Sequence, residues 1–308
     1  MMRDLIGYGA RPPKVEWPGG AQLAVSIVIN YEEGAEATSP ESFVHENTAD
    51  LSSPVPDGVR DLNIESTFEY GSRVGVWRLL DILDRESVRA TFYLCGLAAE
   101  RNPAVARAIV ERGHEPCGHQ YRFVGYHTLS IEEQRRDIEA CVRSIAETTG
   151  QRPVGFNTKW GPTAETRGLV ADAGGFLYDS MAFNDDTPYY ARIGPQGRPW
   201  LVVPYTLELN DARYWRGSLA SVGDLEFAVR EAFDRLYEEG SDCSRMMTVG
   251  FHARISGTPS RAGVLERFLR YAKARNVWIA RRDEIAQWWL AHSPAEAAGP
   301  LELAGDEA

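Results

Sequence analysis

Two adjacent carboxylates stand at the end of the most apolar stretch of this sequence. Residues 23–30 form a nearly unbroken aliphatic run rich in β-branched side chains, and Glu32 and Glu33 follow it. Such a run is typical of a strand that is buried on both faces of a parallel sheet. Burying a strand does not require charge at its tip, whereas a reaction centre at the carboxyl ends of parallel strands does. A solvated acid pair without a chemical role is the alternative interpretation.

Short apolar runs alternate with longer amphipathic stretches along the rest of the chain. This alternation indicates β/α units and a parallel sheet. Helix signals flank the amphipathic stretches, for example the capping box from Ser130 to Glu133 and the later Gly150. The predicted strands are residues 23–30, 90–94, 114–119, 154–158, 176–180, 201–205, 246–252 and 277–280.

Seven or eight parallel strands of this kind predict an α/β fold that is a single closed or nearly closed barrel. An open doubly wound sheet is the alternative, but no glycine-rich phosphate loop supports it. We expect residues 1–292 to form one domain. Residues 35–66 are too long for an ordinary connection, so we interpret them as a lid or a subunit-contact arm. Residues 293–308 are predicted to be a disordered tail.

The composition excludes several classes of partner. The 308 residues carry a formal net charge of −11, whereas nucleic acids and acidic membranes bind basic surfaces. No apolar run approaches the roughly 18 residues of a membrane helix, and the first residues form no apolar stretch long enough for a signal peptide. The four cysteines lie far apart, as in a reduced protein. We therefore expect a cytoplasmic protein with a small-molecule substrate and with neither nucleic acid nor membrane as a partner.

Polar side chains follow several of the later predicted strands as well. His119, Lys159, Asp185, His252 and Arg254 lie just beyond apolar runs. Because the carboxyl ends of parallel strands converge on one face, we expect these side chains to share a basin with the acid pair. Carboxylates and imidazoles in one basin suit the activation of water and the donation of a proton.

Some of these residues have a structural alternative. Asp185 can simply belong to a turn before Pro188, and an aromatic residue such as Tyr189 can pack in the core instead of stacking on a ligand ring. The predicted substrate-binding residues are Glu33, Lys159, Asp185, Tyr189 and Arg254.

Several motifs, spread from Asp4 to Trp289, carry a family resemblance. They are residues 4–9 (DLIGYG), 30–34 (NYEEG), 69–73 (EYGSR), 113–119 (GHEPCGH), 152–156 (RPVGF), 184–190 (NDDTPYY), 250–252 (GFH) and 257–261 (GTPSR). In this order they resemble the polysaccharide deacetylase (NodB-homology) family and, within it, the allantoinase-like branch.

This resemblance implies a distorted β/α barrel that hydrolyses a carbon–nitrogen amide bond. It places the general base on Glu32, a metal ligand on Glu33 and the catalytic histidine on His252. The arginine that tethers the base corresponds to Arg152. The resemblance also implies a homo-oligomer, with residues 35–66 as the expected contact.

The sequence departs from the family pattern at the metal site. Typical members carry two histidines four residues apart, and here His119 is followed at that spacing by Phe123, which cannot bind a metal. A catalytic zinc normally takes three protein ligands. We therefore expect no metal cofactor. A weakly bound divalent metal such as zinc, held by Glu33 and His119, is the alternative.

These observations lead to one mechanistic hypothesis and two rivals. Glu32, its pKa raised by burial, takes a proton from water, and His252 donates a proton to the leaving nitrogen. His119 or Arg152 stabilises the oxyanion. A cyclic amide such as allantoin, an intermediate of purine catabolism, or a cyclic imide is the expected substrate, because a strained ring is more reactive than an acetamide. The rivals are deacetylation of an N-acetylated sugar, with or without metal, and a non-catalytic ligand-binding barrel.

Overall fold

Nine strands form one mostly parallel sheet in the computed structural model, which describes residues 4–36, 60, 62–159, 161–214, 221–293 and 295. The strands are β1 (Leu23–Tyr31), β2 (Thr91–Leu94), β3 (Glu115–Gly118), β4 (Gly155–Phe156), β5 (Tyr178–Asp179), β6 (Tyr189–Ile193), β7 (Arg198–Val202), β8 (Met246–His252) and β9 (Val277–Ile279). Their order is β6-β7-β5-β4-β3-β2-β1-β8, and β9 pairs with the beginning of β1. The sheet curls into a half-barrel.

Helices surround this sheet. They are α1 (Leu62–Tyr70), α2 (Val76–Arg85), α3 (Gly96–Arg101), α4 (Pro103–Glu111), α5 (Ile131–Thr149), α6 (Thr166–Asp172), α7 (Val222–Glu239), α8 (Ala253–Ser256), α9 (Pro259–Lys273) and α10 (Arg282–His292). A π-helical turn, Gly71–Gly75, joins α1 to α2. The predicted capping box is confirmed, since Ser130 and Glu133 cap α5 reciprocally and Gly150 ends it at φ 74°. No helix in the described part of the chain is both long and apolar enough to cross a bilayer.

The predicted β/α barrel is confirmed, and each predicted strand segment overlaps one of the observed strands. Sequence reasoning missed β6, which pairs antiparallel with β7 and is largely half-buried, so it lacks the apolar signature of the others. The predicted arm at residues 35–66 lies outside the described residues at 37–59 and 61. The predicted tail lies outside them except for residues 293 and 295.

The central strand β1 decides which side chains enter the barrel. All nine of its residues are buried. Alternate side chains of a strand point to opposite faces. Leu23 and Ile27 accordingly join the core beneath the helices, whereas Ala24 and Val28 join a second core inside the barrel. Continuing this alternation past the end of β1 turns Glu32 toward the barrel interior.

A close backbone contact holds α8, which follows β8, against the π-helical turn. A Cβ added at Gly257 would overlap the carbonyl oxygen of Ala253 and the Cα of Gly75. Because these atoms belong to the backbone, they cannot move aside as a flexible side chain would. Glycine is therefore required where α8 meets the turn.

We predict that Gly257→Ala lowers the free energy of unfolding by about 1–3 kcal/mol, the usual cost of overpacking. Gly168→Ala is the matched control, because a Cβ at Gly168 meets nothing within 4 Å inside α6. The control should raise stability by about 0.5–1 kcal/mol. Denaturant unfolding measures both changes, and equal effects of the two substitutions would contradict the close contact.

Candidate active site

Glu32 lies in a cavity at the carboxyl ends of the strands. The cavity has a volume of about 150 Å³, and its lining includes Asn30 and Glu32 from the end of β1. Both residues continue the interior face of β1, as the alternation of strand side chains requires. The structure also brings His119, Lys159, His252 and Arg254, which the sequence predicted as site residues, to the same cavity.

Arg254 forms a buried ion pair with Glu32. Its guanidinium Nη1 donates to Glu32 Oε2 at 2.6 Å, and both side chains are less than one-tenth exposed. The guanidinium carbon lies 4.2 Å from the ring centroid of Phe68 in α1, so a cation–π contact also holds the guanidinium in place. Arg254 is the second residue of α8, directly after β8. The ion pair therefore joins the ends of two adjacent strands.

Glu33 faces away from the cavity and binds backbone. Its Oε2 accepts from the N–H of Glu32 at 2.8 Å, and its Oε1 accepts from the N–H of Arg254 at 3.0 Å. A Cβ at Gly71 would overlap Oε1, so the π-helical turn needs glycine there. Burial and the Glu32 charge raise the pKa of Glu33 to about 7, although Arg254 opposes them. The prediction that Glu33 binds substrate is wrong, because both oxygens are engaged behind the cavity.

His252 is held by a carboxylate that the sequence did not reveal. Its Nδ1 donates to Asp211 Oδ1 at 2.6 Å, and its backbone N–H donates to Asp211 Oδ2 at 2.8 Å. Ser256 Oγ also donates to Oδ2, at 2.6 Å. Burial lowers the pKa of His252, but the charges of Asp211 and Glu32 outweigh it and raise this pKa to about 9. His252 is therefore protonated at neutral pH and presents Nε2–H toward Glu32 Oε1, 3.5 Å away.

His119 approaches Glu32 from the other side. Its Nδ1 contacts the carbonyl oxygen of Asn157 at 3.3 Å, and its Nε2 lies 3.4 Å from Glu32 Oε1. Because a carbonyl oxygen only accepts, Nδ1 carries the proton of this contact. Nε2 faces a carboxylate oxygen, which also only accepts, so this nitrogen can donate to Glu32. The Phe123 ring packs 5.7 Å from the imidazole, and Lys159 Nζ lies 3.9 Å from the centroid of that ring.

The pKa of Glu32 moves in the direction opposite to our expectation. Burial raises it, but the charges of Arg254 and His252 and hydrogen bonds from both histidines lower it well below its usual range. The prediction of a raised pKa is therefore wrong, because the sequence did not show how many positive groups surround this carboxylate. Glu32 is ionised throughout the neutral pH range.

Three predicted site residues lie elsewhere. Arg152 donates to the carbonyl oxygens of Pro153 and Gly174, and its guanidinium carbon lies 5.1 Å from the Phe176 ring centroid. It does not tether Glu32, so that prediction is wrong, and Arg254 makes the ion pair instead.

Asp185 and Tyr189 line a separate depression beside Tyr8 and the other residues of the N-terminal segment. Their predicted place in the same basin as Glu32 is wrong. Asp185 lies between β5 and β6, and Tyr189 is the first residue of β6.

The residues of this site do not fit the divalent metal of typical family members. The position four residues after His119 is Phe123, and Glu33 uses both oxygens on backbone N–H groups. Glu32 Oε2 is paired with the Arg254 guanidinium. Among the described residues, no three His, Cys, Asp or Glu side chains are grouped so that they could hold a metal ion. We therefore derive no step through a metal.

Asn30 and Asp211 are among the polar residues of the site that sequence reasoning missed. Asn30 precedes Glu32 by two positions in an otherwise apolar strand, and this spacing places both on one strand face. That pattern could have revealed Asn30. Asp211 follows an irregular stretch after β7, where no periodicity indicates its orientation.

The chain is similar to proteins described as polysaccharide deacetylases. The polysaccharide deacetylase family model matches residues 59–176. A putative polysaccharide deacetylase of Schizosaccharomyces pombe is 35% identical over 96% of this chain and 99% of that protein. A probable polysaccharide deacetylase from Pseudomonas aeruginosa PAO1 has a crystal structure with a TM-score of 0.88 and 42% identity, covering 95% of this chain and 99% of that one. The PuuE allantoinase structure has a TM-score of 0.89 and 40% identity, covering 95% and 98%.

We predict that Asp211→Asn lowers the pKa of His252 by about 1–3 units, because a negative charge in direct contact is lost. Imidazole chemical shifts, followed by NMR as a function of pH, measure this pKa without any substrate. Ser256→Ala is the control, since it removes a hydrogen bond to Asp211 but leaves the charge, and its effect should be smaller. An unchanged pKa of His252 in Asp211→Asn would contradict the assigned pairing.

Proposed function

The chain belongs to the polysaccharide deacetylase family of carbon–nitrogen hydrolases, and we propose that it opens a small cyclic amide. The single observation that carries this proposal is the convergence of ionised Glu32, protonated His252 and His119 within 3.5 Å on one cavity. A hydantoin such as allantoin and a cyclic imide are the substrates that we favour. The likeness to the PuuE allantoinase over 95% of the chain supports this choice.

The size of the cavity supports a single ring as the substrate. An apolar cavity of about 150 Å³ holds one benzene molecule, and the cavity around Glu32 has about this volume. A five- or six-membered cyclic amide is of similar size. Several linked sugars would have to lie outside the cavity, with only an acetamido group reaching Glu32.

The first step is attack of water on the ring carbonyl. The water oxygen bonds to the carbonyl carbon while Glu32 Oε1 takes one of its protons. His119 Nε2 lies 3.4 Å from Oε1 in the same cavity and helps to orient this water. Since Arg254 keeps Glu32 weakly basic, the proton transfers as attack makes the water acidic.

The second step breaks the carbon–nitrogen bond. His252 Nε2 gives its proton to the departing ring nitrogen, and the carbonyl carbon becomes a carboxylic acid. Glu32 is then protonated and His252 neutral. Because Oε1 and Nε2 are 3.5 Å apart, the proton returns from Glu32 to His252. One water has been added across the bond, and the product acid ionises in solvent.

We propose that this reaction needs no metal cofactor. The positive charges of Arg254 and His252 occupy the surroundings of Glu32 where a metal would be held. Deacetylation of an N-acetylated sugar remains the second candidate, favoured by the polysaccharide deacetylase names of the relatives over nearly the full chain.

We predict that Glu32→Gln lowers kcat on a ring substrate by about 10²–10⁴-fold, because a general base is lost. The assay compares hydantoin, allantoin, succinimide and N-acetylglucosamine oligomers, with and without a chelator. Glu69→Gln is the control, because Glu69 is an exposed carboxylate on α1, and it should retain full activity. Hydrolysis of the oligomers alone, lost on chelation and restored by zinc, would favour the deacetylase.

We predict that kcat/KM falls as the pH rises above about 9, because His252 loses its proton there. On the acid side Glu32 stays ionised well below its usual pKa, so activity should extend to low pH until the protein unfolds. The profile is measured with a substrate whose ring nitrogens do not ionise in this range. The alkaline limb should move to lower pH in Asp211→Asn, and a limb that rises with pH would refute His252 as the acid.

A further inference from the structure

The proposed reaction requires a hydrogen-bond donor for the oxygen of the attacked carbonyl. Negative charge develops on that oxygen, and one well-placed donor typically contributes 10²–10³ in rate. Arg152 lies outside the cavity, and His119 Nε2 faces the Glu32 carboxylate. Arg254 Nη1 is engaged by Glu32. The cavity lining also contains the hydroxyl-bearing side chain of Tyr205.

A contact of Asn30 with a backbone carbonyl fixes the direction of the first hydrogen bond to Tyr205. Asn30 Nδ2 contacts the carbonyl oxygen of Phe251 at 2.9 Å. Since a carbonyl oxygen only accepts, this atom of Asn30 must be the amide nitrogen. The same Nδ2 lies 3.1 Å from the Tyr205 hydroxyl oxygen and donates its second hydrogen there.

The second hydrogen bond is settled in the same way. Asn210 Oδ1 accepts from the backbone N–H of Ala212 at 3.0 Å, which identifies this atom as the amide oxygen. The Nδ2 of Asn210 then lies 3.2 Å from the Tyr205 hydroxyl oxygen and donates to it. The hydroxyl oxygen therefore accepts two hydrogen bonds, and its own hydrogen is left to donate elsewhere.

We propose that the Tyr205 hydroxyl donates this hydrogen to the substrate carbonyl oxygen and stabilises the oxyanion. The inference rests on the proposed amide hydrolysis and adds a catalytic residue to it. Two accepted hydrogen bonds polarise the O–H group and strengthen it as a donor. Burial raises the pKa of Tyr205, so the hydroxyl keeps its proton.

Packing holds the hydroxyl in place before substrate arrives. The Tyr205 ring lies 5.1 Å from the ring of Tyr93 and 6.2 Å from that of Phe183. On the other side is Gly250 of β8, where a Cβ would overlap the hydroxyl oxygen. A donor fixed in this way needs no reorganisation when charge develops.

The test compares Tyr205→Phe with Tyr93→Phe. Both substitutions remove one hydroxyl from a buried tyrosine, and the Tyr93 hydroxyl does not line the cavity. Tyr205→Phe should lower kcat about 10²–10³-fold and change KM only a few-fold, because the lost bond strengthens in the transition state. Tyr93→Phe should leave both constants within a few-fold of wild type. Equal kcat in the two variants would overturn the inference.

Asn210→Asp provides a second test that leaves Tyr205 in place. The Oδ1 bond to Ala212 is retained, but the new carboxylate accepts the Tyr205 hydrogen, so kcat should again fall with little change in KM. An unchanged kcat would overturn the inference even if Tyr205→Phe does not fold. A wild-type protein that opens no ring but deacetylates an N-acetyl sugar overturns the proposed substrate alone, and the tyrosine comparison is then made on that amide. A protein that hydrolyses no amide overturns both.

Discussion

The buried ion pair between Glu32 and Arg254 is the interaction on which the rest of the site depends. It links the end of β1 to the start of α8, two segments 222 residues apart in sequence. Glu33 reinforces the link by accepting from the backbone N–H of both partners. Removing one member of such a pair typically costs about 3–5 kcal/mol, because the other charge stays buried alone. The ion pair therefore determines both the geometry of the site and its electrostatics.

This arrangement also separates the two proton-transfer roles. Arg254 and His252 hold the pKa of Glu32 low, whereas Asp211 and Glu32 raise that of His252 to about 9. Two groups whose pKa values are driven apart in this manner can serve as base and acid at the same pH. This chain places the guanidinium of Arg254 and the imidazolium of His252 around the carboxylate. In the metal-free reaction that we propose, these fixed positive side chains act on Glu32, and Phe123 stands where the family resemblance implies a histidine ligand.

Much of this fold and part of the site could be predicted from the sequence. Aliphatic runs identified the parallel strands, and polar residues at their ends identified Glu32, His119 and His252, because strand periodicity and convergence of strand ends are local rules. Strand β6 was not predicted because its half-buried side chains lack the aliphatic pattern of the other strands. Arg152 was assigned to Glu32 by the family resemblance alone, and in the structure it precedes β4 and packs on Phe176.

Strand periodicity and polar strand ends were enough to predict the β/α barrel and an acid beside imidazoles at one rim. Which charges meet depends on the folded chain. Arg254 reaches Glu32, Asp211 reaches His252, and two asparagines orient the hydroxyl of Tyr205. The physical reason is that the protonation state of a buried group depends on the sum of charges within a few ångströms. Those charges come from segments far apart in the chain, and their distances exist only after folding.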